Sequence, residues 1–180
     1  MAAKLLVILG VLACLGIGAH KLLSRATDPA AIASVPGVAS IGTGGVVHLL
    51  GPDLVTSRAL DLDAYAGRPL ILNVWASWCE ACRVEGPELA KFERARPDVL
   101  VIGLNMQDTV PAALAAMHEW GWSHASIRDP DGQLFFALPR HDGIPLTLFL
   151  DSQHRVVDTL LSNVYADQLE GGAKRITGRS

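Results

Sequence analysis

The spacing of apolar positions changes along the chain, and each change marks an element. Residues 70–75 and 99–104 are nearly unbroken apolar runs, Leu70-Ile71-Leu72-Asn73-Val74-Trp75 and Val99-Leu100-Val101-Ile102-Gly103-Leu104, the pattern of parallel strands covered on both faces. Between them, residues 80–96 place Val84, Leu89 and Phe92 roughly on one helical face. Together they predict a β-α-β unit with a right-handed crossover, and Pro87 predicts a kink in its helix. A second helix is signalled by Thr109 as cap and Pro111 in the first turn, ending at Trp120 before Gly121. Residues 126–128 predict a short strand, Asp129-Pro130-Asp131-Gly132 a turn, and residues 133–138 a short helix. Residues 146–150 and 155–160 flank Asp151-Ser152-Gln153-His154 as a hairpin, and residues 165–176 form a terminal helix. Upstream, residues 46–50 and 54–56 around Gly51-Pro52-Asp53 predict another short hairpin, followed by a helical turn over residues 60–66 that Gly67 ends. This order implies an α/β domain with a central mixed sheet covered on both faces.

The first segment follows a different rule. Residues 5–19 run without a charge between Lys4 and the pair His20 and Lys21, a length between that of a signal-peptide core and the roughly 20 residues of a membrane helix. We expect an uncleaved anchor that gains length from residues 1–3 and 22–23, with Lys4 and Lys21 snorkelling outward. Ile17-Gly18-Ala19 is a poor match to a cleavage site. Val11-Leu12-Ala13-Cys14 looks like a lipoprotein box, but the residues after Cys14 stay apolar, so Cys14 reads as a small hydrophobe in the membrane helix. Lysines flank the run almost evenly, so charge does not set its orientation. Residues 27–45 are rich in Ala, Ser, Pro and Gly with Asp28 as their one charge, a linker composition. Gly42-Thr43-Gly44-Gly45 lacks the Gly-Lys-Ser/Thr ending of a phosphate loop, and no internal repeat is visible.

Composition narrows the function. In 180 residues, 15 Lys and Arg face 18 Asp and Glu, so no basic face for nucleic acid is indicated. Half the residues are apolar, enough for one sizeable core. Three cysteines are too few for a disulfide scaffold, and interest passes to their positions, Cys14, Cys79 and Cys82.

Cys79-Glu80-Ala81-Cys82 leaves a buried strand and opens a helix. A thiol there faces orphan backbone N–H groups and the positive end of the helix dipole, which stabilise a thiolate, while the second thiol sits a turn inside. Cys79 is the candidate attacking nucleophile and Cys82 the resolving thiol that displaces a partner from a mixed disulfide. Glu85, three residues after Cys82, shares its helix face. Buried there, it is a candidate general base with a raised pKa; on the opposite phase it is a solvated surface acid. Glu80 is favoured by the dipole but opposes a neighbouring thiolate, so we expect a moderate lowering of the Cys79 pKa. A zinc site from Cys79, Cys82, His118 and His124 fails on spacing, because the gap from Cys82 to His118 far exceeds that of a finger. His20, His48, His141 and His154 read as surface residues, and Trp120 and Trp122 as packing residues. No metal and no cofactor are expected.

The run Asn73-Val74-Trp75-Ala76-Ser77-Trp78-Cys79-Glu80-Ala81-Cys82-Arg83-Val84-Glu85-Gly86-Pro87 closely resembles the active-site segment of membrane-anchored thioredoxin-like proteins of the ResA, TlpA and CcmG (DsbE) type. The similarity extends through Asp129-Pro130-Asp131-Gly132 and Gly143-Ile144-Pro145-Leu146-Thr147-Leu148-Phe149-Leu150-Asp151. It implies residues 1–25 as membrane anchor, 26–45 as flexible linker and 46–180 as a thioredoxin-like domain on the extracytoplasmic, periplasmic side. The resemblance further implies that Pro145, after Ile144, is a cis-proline facing the disulfide, and that Glu85 is the buried acid of the site. Trp78, Glu80, Ala81, Ile144 and Pro145 become the expected substrate-contacting residues. The implied activity is reduction of partner thiols, with apocytochrome c as the expected substrate and a membrane disulfide reductase of the DsbD or CcdA type as electron donor. Many relatives carry Pro where Ala81 stands, a departure that bears on helix-start rigidity and potential. The competing readings are a thiol oxidase of secreted proteins, a metal-handling chaperone for oxidase assembly, which the absence of Cys-x-x-x-Cys disfavours, and an inert structural disulfide. A peroxidase is disfavoured because no lone Cys follows a Thr-x-x pattern.

Overall fold

The computed structural model describes residues 38–41 and 45–178; the expected anchor over residues 1–25, with Cys14, and most of the linker lie outside them. Among the described residues, no helix is long and apolar enough to cross a membrane.

Strands β4 (Leu70–Trp75), β5 (Leu100–Met106), β6 (Ser126–Asp129), β7 (Leu146–Leu150) and β8 (Val156–Leu160) form a sheet in the order β6-β5-β4-β7-β8. β4, β5 and β6 are parallel, β7 is antiparallel to β4, and β8 is antiparallel to β7. The helices are α1 (Glu80–Ala95), α2 (Val110–Trp120), α3 (Gln133–Phe136) and α4 (Ala166–Thr177). A smaller antiparallel sheet joins β1 (Val38–Ile41), β2 (Val47–Pro52) and β3 (Ala59–Asp61), and a 3-10 turn follows over Leu62–Tyr65.

The alternation of β4 divides the core in two. Ile71 and Trp75 face one way, with Phe149 of β7, and pack with Leu89, Ala113, Met117, Trp120, Leu169 and Ala173 from the helices. Leu70, Leu72 and Val74 face the other way and pack against Val47, Leu49, Leu62, Leu134 and Phe135. The expected helices on both faces are therefore unequally shared. Two successive right-handed crossovers stepping the same way, β4 to β5 and β5 to β6, place α1 and α2 on one face, where α4 packs against α1. The opposite face is covered by the small sheet, the 3-10 turn and α3. Close approach uses glycine at two places. A Cβ on Gly86 would stand 2.8 Å from the Trp120 ring, and one on Gly172 would overlap the ring of Phe149.

Three local expectations are corrected. The upstream hairpin turns at residues 53–58, because Pro52 continues β2 and pairs with Ala59. Asp53 closes that turn, accepting from the Thr56 N–H and hydroxyl at 2.7 Å each, so residues 54–56 are turn and no strand. Residues 38–41, linker by composition, pair with β2. Finally, His154 is 2% exposed rather than on the surface: its carbonyl accepts the Val47 N–H at 2.9 Å where the small sheet docks on the β7–β8 turn, through a bridge from Val46 to Arg155.

Candidate active site: a disulfide at the head of α1

β4 ends at Trp75, and the loop after it delivers Cys79 as the N-cap of α1, with φ −85° and ψ 107°. The Sγ of Cys79 accepts the Cys82 N–H at 3.1 Å, the contact that, with the helix dipole, would stabilise a thiolate there after reduction. Cys79 and Cys82 are joined as a disulfide with their Cα atoms 5.2 Å apart. Cys79 keeps 6% of its surface exposed and Cys82 none, so an incoming nucleophile meets Cys79 first.

One turn along α1 from Cys82, Glu85 is fully buried. Its Oε1 accepts from Asn73 Nδ2 at 2.8 Å and its Oε2 from the Val164 N–H at 3.0 Å. Burial pushes its carboxyl up to about 7, against the two hydrogen bonds, which pull it down. Of the two phases open to Glu85 in the sequence, the structure takes the buried one. The Ile144–Pro145 peptide bond is cis, Pro145 is buried and Ile144 half-buried. Pro145 precedes Leu146, which pairs with Val74 near the end of β4, so this segment and the cysteine loop share one end of the sheet. Trp78 is 58% exposed beside Cys79, held by its Nε1 donating to the Gln107 carbonyl at 3.0 Å. Glu80 points to solvent, 3.7 Å from Arg83, which also lies 3.6 Å from Glu119. Ala81 is partly buried against the core.

A family model described as Redoxin matches residues 52–171. The chain belongs to the Redoxin family. Among curated proteins it is similar to the thiol:disulfide interchange protein DsbE of Allochromatium vinosum, 34% identical over 133 residues covering 71% of this chain and 72% of that protein. The DsbE of Pseudomonas aeruginosa is 36% identical over 108 residues, covering 57% of this chain and 58% of the relative. A secreted disulfide oxidoreductase of Mycobacterium tuberculosis, described as homologous to Escherichia coli DsbE, superposes with a TM-score of 0.61 at 19% identity, covering 72% of this chain and 94% of the other. That likeness shows the thioredoxin-like fold. This redoxin is a thiol–disulfide oxidoreductase of the DsbE type.

The redoxin site also contains residues that pattern reading passed over. Asn73 is the one polar residue in the buried run of β4, and that interruption was the available signal. Its Nδ2 also lies 3.1 Å from Thr147 Oγ1. Asp108, just after β5, accepts from the Ser77 N–H at 2.6 Å, Ser77 Oγ at 2.8 Å, Asn105 Nδ2 at 3.1 Å and the Thr109 N–H at 2.8 Å. It pins Ser77, two residues before the nucleophile, to the β5–α2 loop. The histidines of the rejected zinc reading have other settings: His118 is exposed on α2, and buried His124 lies 3.2 Å from the Glu93 carboxylate through Nδ1. Among the described residues no group of three His, Cys, Asp or Glu side chains is placed to hold a metal ion.

Proposed function

We propose that this redoxin is an extracytoplasmic reductase of specific partner disulfides, with apocytochrome c as the partner and residues 1–25 as its membrane anchor. The observation that carries the reading is the Cys79–Cys82 pair at the head of α1 with Glu85 buried one turn along the same helix. In the reduced protein the Cys79 thiolate attacks one sulfur of the partner disulfide. A mixed disulfide forms, and the partner's other sulfur leaves as a thiolate. Cys82 then gives its proton to ionised Glu85 and attacks Cys79 Sγ; the Cys79–Cys82 bond forms and the partner's second thiolate departs. The partner gains two electrons and this chain loses two. A membrane dithiol donor of the DsbD or CcdA type restores the reduced pair. Trp78, Glu80, Ala81, Ile144 and Pro145 form the surface that meets the partner.

The direction follows from charge. Glu80 beside Cys79, and Glu85 once ionised, both disfavour a thiolate, and destabilising the reduced form lowers the reduction potential. Trapping tests the mechanism: Cys82→Ser, reduced and mixed with oxidised apocytochrome c, accumulates a covalent adduct that dithiothreitol releases, whereas Cys79→Ser forms none. An adduct through Cys82 with Cys79 absent would overturn the assignment of roles.

A further inference from the structure

The Asn73 amide is fully buried between two groups, Glu85 Oε1 on α1 and Thr147 Oγ1 on β7, and its Nδ2 faces both. Its Oδ1 is buried and has no hydrogen-bond partner. Native interiors rarely leave such an acceptor unmet, and this one belongs to a residue bonded to an acid. Asn73 and Thr147 are directly paired in register between β4 and β7 and both are fully buried, so the two side chains face each other in the core. What the Asn73 amide can do is turn over about its last torsion, exchanging Oδ1 and Nδ2.

We propose that Asn73 is a positioning residue that holds Glu85 in both of its protonation states by turning its amide over. When Glu85 is ionised, Nδ2 donates to the carboxylate and to the Thr147 oxygen. When Glu85 takes up a proton, its O–H donates, and the reversed amide presents Oδ1 to accept it together with the Thr147 hydroxyl. Thr147 serves both orientations because a hydroxyl donates as readily as it accepts. One end of the amide is unmet in either orientation, so the proton selects the orientation without adding a second unmet group. The Val164 N–H keeps Oε2 in place throughout.

The surroundings make Asn73 the one switchable partner. Glu85 is faced by Asn73 from β4 and by the Val164 backbone from the segment before α4, and no charged side chain shifts its carboxyl. On its own helix, Cys82 lies one turn before it, and α2 supplies the Trp120 ring over Gly86. The proposal rests on Glu85 as the proton acceptor of Cys82, because a group that must gain and lose a proton while staying in place needs a partner able to do both.

The test uses the oxidised full-length protein labelled with 15N and 13C, its Asn73 side-chain amide signal assigned by its loss in Asn73→Asp. The amide signal should move with the same midpoint, near 7, as the Glu85 carboxyl carbon, and Glu85→Gln should abolish the step. In Asn73→Leu both forms of Glu85 lose a hydrogen bond, so its midpoint should move by less than about one pH unit, whereas a rise of about one to two units would mean that the amide serves the carboxylate alone and would overturn the turnover. A Glu85 carbon that titrates while the Asn73 amide stays flat from about pH 5 to about pH 9 overturns the turnover and leaves the general base standing. A Glu85 carbon that does not titrate in that range overturns both.

Discussion

Glu85→Gln separates the energetics of the buried acid from its chemistry. Its carboxyl stands at about 7 rather than the ordinary 4.5, and at about 1.4 kcal/mol per pH unit the displacement corresponds to about 3 kcal/mol of native stability. The sign follows from proton binding. Below pH 4.5 the folded and unfolded chains both hold the proton, and the acid carries no penalty. Between 4.5 and about 7 the folded chain keeps a proton that the unfolded chain releases, so stability falls as pH rises and levels off above that window. Glutamine does not titrate. In the oxidised protein, where the cysteines are tied, urea unfolding at a series of pH values should show Glu85→Gln gaining about 3 kcal/mol on the parent between about pH 4 and about pH 8. A difference that stays constant across this range would refute the burial argument. The same variant should resolve mixed disulfides more slowly. An unassisted thiol is only a few per cent ionised near pH 7, and burial of Cys82 lowers that fraction, so losing the base should cost about 100-fold in stopped-flow resolution and remove the step near 7 from the pH–rate profile. A profile that keeps its step would take Glu85 out of the proton transfer.

Asp108→Ala removes the acceptor of four hydrogen bonds; with two of them fixing Ser77, it should cost about 2 kcal/mol in urea unfolding and slow exchange at Cys79, while an unchanged exchange rate would confine Asp108 to a folding role. Gly172→Ala sets a methyl against the Phe149 ring and should destabilise by about 3 kcal/mol as α4 is forced off β7, whereas a neutral change would mean that the helix rides freely on the sheet.

The parts of this fold legible in the sequence are those governed by local period. β4, α1 and β5 declare themselves because two continuous apolar runs bracket a helical face, and α2 because Thr109 and Gly121 mark its ends. The parts that escaped are governed by contacts far along the chain. Gly51-Pro52-Asp53 has turn composition, yet a Cβ at Gly51 would stand 2.6 Å from Ile127 Cγ2, and Asp53 Oδ2 accepts the Ser126 N–H at 3.2 Å. Contact with β6 carries the strand past its apparent end. His154 sits in a turn sequence that reads as exposed and is covered only because the small sheet docks there. At the site, Cys79 and Cys82 are legible from spacing and context. The burial of Glu85 depends on helix phase, and its partners Asn73 and Val164 come from β4 and from the segment before α4, where no sequence spacing relates them.

The central claim is that this disulfide serves as a reductant once reduced, and the reduction potential of Cys79–Cys82 tests it most directly. Equilibration of the full-length protein in thiol buffers, followed by alkylation and mass readout, gives that value. A potential close to or below about −270 mV is the result we predict, and one near the roughly −120 mV of a strong oxidant would contradict the account and make the protein a source of disulfides.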